Sequence, residues 1–277
     1  MEQIQHTIET LFSASPEQTP ENFRPIFNEF IKHLNTGRIR AAEFDGEKWQ
    51  VHHWVKKGIL LGFRYGQMTD YSGDRFPFFD KDSYPLQTIT IHQKVRIVPG
   101  GSSIRSGAFL APGVVIMPPA YINVGGYVDS DTMIDSHVLV GSCAQIGKRV
   151  HLSAGVQIGG VLEPIGARPV IIEDDVMVGG NCGIFEGVIV RRRAVLAAGT
   201  ILTASIPVYD LTRQQILKGN KEQPLEIPEN AVVIPGSRPL EKSAFARRYG
   251  LHGYCAIIVK YRDSRTETAT ALEDSLR

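Results

Sequence analysis

Excess charge of either sign is missing from this sequence. Its 277 residues carry 30 Lys and Arg against 29 Asp and Glu, a net charge of +1. That balance argues against nucleic acid or an anionic membrane surface as the main partner and leaves open only a local basic site. Cysteine is scarce too: Cys143, Cys182 and Cys255 are odd in number and show no CxxC spacing. Neither a disulfide framework nor a zinc knuckle is indicated, and the three read as small buried residues. No stretch approaches the roughly eighteen consecutive apolar residues a membrane span requires. The opening MEQIQHTIETLF lacks a basic start and a continuous apolar run, so the expectation is a soluble, cytoplasmic protein. Phosphate-cradling GxxxxGK and GxGxxG loops are likewise absent.

What the sequence does have is a ladder. From Val98 to Val208 an aliphatic residue recurs at every sixth position: Val98, Ile104, Leu110, Ile116, Ile122, Val128, Ile134, Val140, Ile146, Leu152, Ile158, then Ile172, Val178, Ile184, Val190, Leu196, Leu202 and Val208. Val, Ile and Leu fill 36 of the 111 positions in this stretch. Eighteen hits in eighteen by accident therefore has odds of about one in a billion, and chance is excluded against an ordinary apolar content. Two residues before most rungs stands a small residue, as at Ala108, Ala120, Gly126, Ala144 and Ala194. Such hexapeptide repeats specify a parallel β-helix whose triangular coil takes eighteen residues, so six coils are expected. The class coils left-handed, against the usual crossover preference.

Three regions are expected: an α+β cap over 1–93, the left-handed β-helix over 94–208, and a small β-rich domain over 209–277. In the cap, helical spacing predicts helices over Glu2 to Phe12 and Phe23 to Leu34, with a third around Trp54 to Phe63. Asp45-Gly46 marks a hairpin, and a strand is expected near Thr88 to Ile91 in an otherwise irregular segment. Caps at both prism ends would cover backbone groups and apolar rungs that otherwise template aggregation. Beyond Val208 hairpins are expected, then a strand in YCAIIVKYRD and a terminal helix or tail in SRTETATALEDSLR. The rung spacing breaks only between Ile158 and Ile172, where eight extra residues leave the prism. Long loops on regular folds often carry binding function.

Since the prism axis is apolar, chemistry must sit on its outside or against a neighbouring molecule. Asp129 and Asp135 each follow a rung directly and point outward, with Asp131 between them. His137 and His151 are the prism's histidines, one short of the triad that zinc-dependent carbonic anhydrases of this class use, so no metal is expected. Either could serve as a general base, as in related acetyltransferases, or stand as a surface imidazole. Lys148-Arg149 and Arg191-Arg192-Arg193 lie on turns and suit either a solvated face or the phosphates of an acyl-CoA.

The run GSCAQIGKRVHLSAGVQIGGVLEPIGARPVIIED from Gly141 to Asp174, with GGYVDSDTMID before it and FEGVIV after it, closely resembles the tetrahydrodipicolinate N-succinyltransferase family of the diaminopimelate route to lysine. HHWVKKGILLGFR and YCAIIVK extend the resemblance over nearly the whole chain. It implies a homotrimer with active sites between subunits, and transfer of succinyl from succinyl-CoA, a co-substrate with no tightly bound cofactor, to the amine of L-2-amino-6-oxopimelate. By the same resemblance Asp135 binds and orients the amine. Arg96 of KVRIVP, with Arg105 nearby, meets the dicarboxylate, and Met133, Ser142, Leu152 and Gly160 touch it. Gly159, Gly179, Lys148 and Arg149 are assigned to CoA, under a flap formed by GGVLEPIGARP. Family members carry a glutamate where Gly183 stands here, and Glu186 is the candidate second acid in its stead. Relatives also have Thr-Trp where this chain has Ser136-His137. N-acetyl transfer to the same acceptor and a noncatalytic hexapeptide scaffold are the alternatives.

Overall fold

The computed structural model describes residues 1–14, 17, 19–73, 76–220 and 223–262, so the expected terminal helix or tail lies outside the described residues. Among them no helix is long and apolar enough to cross a membrane.

Strands of two residues repeat along the ladder and stack into three parallel sheets, the faces of a triangular prism. The first face runs from Phe109–Leu110 through Tyr127–Val128, Gln145–Ile146, Ile171–Ile172 and Ile189–Val190. The second contains Arg96–Ile97, Val115–Ile116, Met133–Ile134, His151–Leu152, Met177–Val178 and Val195–Leu196. The third runs from Ser103–Ile104 to Ile201–Leu202. Register confirms the eighteen-residue coil: Val128 pairs with Ile146, and Ile134 with Leu152. Across the interruption Ile146 pairs with Ile172, so the eight extra residues leave the prism without disturbing its stacking.

The inward rungs form one core with the residues two positions before them. Ile116, Val128, Ile134, Ile146 and Leu152 are completely buried, as are Ala108, Ala144 and Val150. Each such Ile or Leu contributes roughly 1.5–3 kcal/mol of burial. Most turns share one device: the residue three before a rung adopts a left-handed backbone, at Gly107, Gly113, Gly125, Asp131, His137, Cys143, Arg149, Gly155 and onward. Gly and Asp suit that conformation, whereas His137 and Arg149 hold it at a cost of order 1 kcal/mol or more.

The ladder needs correction at both ends. Ile97, not Val98, takes the first rung, pairing with Ile116, because the chain enters the second face one residue out of phase. Val208 is buried but pairs with Ala256 and Leu217 in the terminal sheet. After an excursion the period resumes, Ile227 stacking on Val190 and Val233 on Leu196. The final antiparallel pair, Ala231–Pro239 and His252–Tyr261, extends the second face.

At the other end, α1 (Glu2–Ala14), α2 (Phe23–Asn35) and α3 (His53–Tyr65) pack Ile8, Phe27, Phe30 and Ile59 into a second core, which includes Val124 and Cys143 of the prism. The hairpin Ala42–Phe44 with Trp49–Val51 forms as expected and lays Ala42 and Trp49 on Ile171 and Ile189 of the first face. The strand expected near Thr88 to Ile91 is not formed. Thr90 and Gln93 instead cap a single helical turn, Gln93 Oε1 accepting the Thr90 N–H at 2.7 Å, a local side-chain bond that outcompetes a ladder.

Candidate active site

Three edges of the prism sort the candidate residues. Asp135 follows the rung Met133–Ile134 and projects from the edge between second and third faces. Its N–H donates to the Leu152 carbonyl at 3.0 Å, and its carboxylate is only partly shielded, with 25% of the side chain exposed. One coil on, His151 stands outward on the second face, directly opposite Met133 and next to Met177. Its Nε2 lies 3.0 Å from Asp135 Oδ2, and the facing carboxylate oxygen calls for the hydrogen on that nitrogen. Gly179 lies on the same edge as Asp135, and Arg96 is exposed on the second face two rungs before Met133. Leu152 is a fully buried rung, as the ladder requires, so only its backbone reaches this edge.

The edge between third and first faces carries Arg105, Ser142, Gly159, Gly160 and Glu186. The Arg105 guanidinium pairs with Asp80, reaches Asn123 Oδ1 at 3.4 Å and lies 5.3 Å from the ring centres of Phe63 and Tyr84. Enclosed in this way, it joins the cap to the prism, on a different edge from Asp135 and with its guanidinium already paired. Ser142 is buried, and its carbonyl accepts the Val161 N–H at 3.2 Å. Gly160 has a packing reason to be glycine, since a Cβ there would stand 2.6 Å from Ser142 N.

Glu186 is exposed, with a left-handed backbone (φ 53°) followed by another at Gly187 (φ 72°). Its Oε2 accepts the Ala204 N–H at 3.1 Å. It opens onto a cleft of about 1010 Å³ between the hairpin, the 159–171 loop and the C-terminal excursion, where His53, Arg168 and Lys218 add basic groups. Asp135 and Glu186 therefore leave one chain from different edges. The Gly183 position is covered by Phe185: a Cβ on Gly183 would press into Phe185 Cε2 and lie 2.9 Å from Cζ, while one on Gly159 would lie 2.8 Å from Cδ1. The ring is wedged between two glycines, where a larger side chain has no room.

Sequence reasoning missed how the 159–171 loop is held. Lys56 of α3, completely buried, donates from Nζ to the Ala167 carbonyl and, at 3.4 Å, to that of Ile165. His53 Nδ1 donates to the same Ile165 carbonyl at 2.9 Å. Burial lowers the Lys56 pKa, and burial pushes the neighbouring Cys143 thiol up to about 12. The only signal in the sequence was a Lys among the apolar residues of α3.

On the remaining edge, Arg149 grips Asp175 through Nε at 2.6 Å and Nη2 at 2.8 Å, and this pairing raises its pKa. Lys148 lines a cleft of about 470 Å³ with Arg40, Trp49, Arg191 and Arg192. Asp129, Glu173, Asp174 and Glu229 face the same cleft, so its charge is balanced.

Residues 3–65 match the signature described as the tetrahydrodipicolinate N-succinyltransferase N-terminal domain, and residues 169–204 match the hexapeptide repeat of succinyl-transferase. The 2,3,4,5-tetrahydropyridine-2,6-dicarboxylate N-succinyltransferase of Nitrosomonas europaea is 40% identical over 285 residues, covering 100% of this chain and 99% of its own. That of Yersinia pseudotuberculosis serotype IB is 38% identical over 289 residues with the same coverage. The chain belongs to the tetrahydrodipicolinate N-succinyltransferase family. The first match spans α1 to α3, the last of which holds the 159–171 loop, and the second spans the coils around Gly183 and Glu186.

Proposed function

We propose that this protein transfers the succinyl group of succinyl-CoA to the amine of L-2-amino-6-oxopimelate, the opened form of tetrahydrodipicolinate, in lysine and diaminopimelate biosynthesis. The observation that carries the reading is end-to-end similarity to N-succinyltransferases in a chain whose partly exposed Asp135 carboxylate stands at a prism edge. Asp135 binds the amine. As nitrogen attacks the thioester carbonyl, the C–N bond forms, the C–S bond breaks, the amine proton passes to Asp135 and the CoA thiolate takes up a proton. Arg96 meets a substrate carboxylate through its planar fork of donors. Met133, Ser142 and Gly160 border the acceptor, and the 159–171 loop covers the CoA arm at Gly159. Gly179 lies along the arm, and Lys148 and Arg149 meet its phosphates.

Asp135 and Glu186 lie on different edges of one chain, which fits a homotrimer whose sites lie between subunits, with Glu186 as the second acid from a neighbour. The protein works in the cytoplasm, with no nucleic acid or membrane partner and no tightly bound cofactor. A thiol-release assay with succinyl-CoA, then acetyl-CoA, tests the reading. Release with succinyl-CoA and acceptor supports it. Preference for acetyl-CoA would make the protein an N-acetyltransferase, and release with neither would make it a scaffold.

A further inference from the structure

Asp135 has no carboxylate partner on its own edge, and Phe185 covers the Gly183 position on another. The group beside it is His151. Parallel register sets Met133 opposite His151, and the Asp135 N–H bonds to the Leu152 carbonyl at 3.0 Å. Carboxylate and imidazole thus arise from adjacent coils whose separation is fixed by backbone hydrogen bonds, with Nε2 3.0 Å from Oδ2. The imidazole is sandwiched between coils bearing Met133 and Met177 and is the more enclosed of the two, 16% exposed against 25% for Asp135. Of the pair, Asp135 is thus the side chain that presents more surface to a ligand.

We propose that His151 is the positioning residue for Asp135: its Nε2–H holds Oδ2 so that Oδ1 faces the acceptor amine. This rests on the reading of Asp135 given above. A carboxylate at a corner of a β-helix turns freely about its last side-chain bond unless one oxygen is tied. A base works only when its lone pair meets the proton donor within about 2.6–3.2 Å, so the tie acts on the chemical step rather than on affinity for CoA. No atom of His151 joins the reaction: the proton leaving nitrogen goes to Asp135, as above. The signal was present in the sequence, since residues sixteen or seventeen apart on an eighteen-residue coil are neighbours across one rung.

Three variants of the full-length protein test the inference with succinyl-CoA and L-2-amino-6-oxopimelate. His151→Leu removes the donor, His151→Asn keeps a polar but shorter group, and His151→Gln carries an N–H near the position of Nε2. The expected result is a fall in kcat of about 10–100-fold for His151→Leu and His151→Asn, the usual effect of losing a group that orients a functional side chain. KM for succinyl-CoA should stay within about twofold, and His151→Gln should recover kcat to within about fivefold of the parent. Unchanged kcat in His151→Asn, or His151→Gln as impaired as His151→Asn, would overturn the inference. Asp135→Ala measured alongside separates the two failures. If it is inactive while His151→Asn is normal, only the positioning role falls; if Asp135→Ala is fully active, the reading of Asp135 falls with it.

Discussion

Replacing Gly183 with glutamate supplies the carboxylate that the resemblance leads one to expect there, and the structure says what stands in its way. A Cβ at 183 would meet the Phe185 ring, lying 2.9 Å from Cζ, and would also lie 3.0 Å from Ile201 Cδ1. The ring has little room to retreat toward Gly159, because a Cβ on that residue would already lie 2.8 Å from Phe185 Cδ1. Gly183→Glu should therefore cost about 1–3 kcal/mol, the range for overpacking a filled site. At roughly 2–4 °C per kcal/mol for a chain of this size, the melting temperature should drop by about 2–12 °C. Phe185→Val opens the space at its own cost in lost burial, and in the double variant the glutamate no longer meets the ring. Thermal unfolding of the two single variants and the double variant closes a double-mutant cycle. The double variant should be more stable than the summed single losses by at least about 1 kcal/mol, well beyond the few tenths expected of independent sites. Additive losses would refute the claim that Phe185 occupies the space of the absent side chain.

Other outcomes follow from single residues. The Cys143 thiol, held at about 12 by burial against an ordinary 9.0, is more readily ionised in the unfolded chain. Its contribution is intact below pH 9 and is lost as pH rises toward 12, at up to about 1.4 kcal/mol per unit. Denaturant titrations across that window should show a flatter alkaline decline for Cys143→Ala, and an unchanged slope would contradict the assignment. Arg105→Gln should lower stability by about 1–3 kcal/mol through loss of a charged contact while leaving KM for the acceptor unchanged; a large rise in KM would return Arg105 to the substrate. Leu152→Ala should cost about 2–5 kcal/mol in chemical denaturation and Leu152→Met less than about 1.5, with kinetic constants of the Met variant unaltered.

Period and phase make the prism legible in the sequence, because an inward rung every sixth residue leaves no freedom in stacking: Ile134 must meet Leu152, as it does. The breaks were legible where the period simply paused, as between Ile158 and Ile172. They were hidden where chance continued it. Val208 keeps perfect spacing yet belongs to the terminal sheet, and the true rungs Ile227 and Val233 follow an excursion that sequence reads only as hairpins. Outward direction was equally readable for Asp135, since it rests on the rung beside it. Roles that depend on long-range partners were not readable. Arg105, matched by resemblance to a substrate guanidinium, is held by Asp80, from a segment that reads as irregular but forms the strand Phe79–Lys81. Lys56 gave no hint of the loop it holds, because Ile165 and Ala167 approach it through backbone carbonyls that carry no sequence signature.

The central claim is that an outward carboxylate on an otherwise structural prism runs a succinyl transfer. It is tested most directly by the rate of CoA release from succinyl-CoA in the presence of L-2-amino-6-oxopimelate, comparing the parent with Asp135→Ala. The parent should turn over, and the variant, with its melting temperature and oligomeric state preserved, should lose at least about 100-fold in kcat, as expected when a positioned acid–base group is removed. Full activity in the variant, or no acceptor-dependent release by the parent, would contradict it.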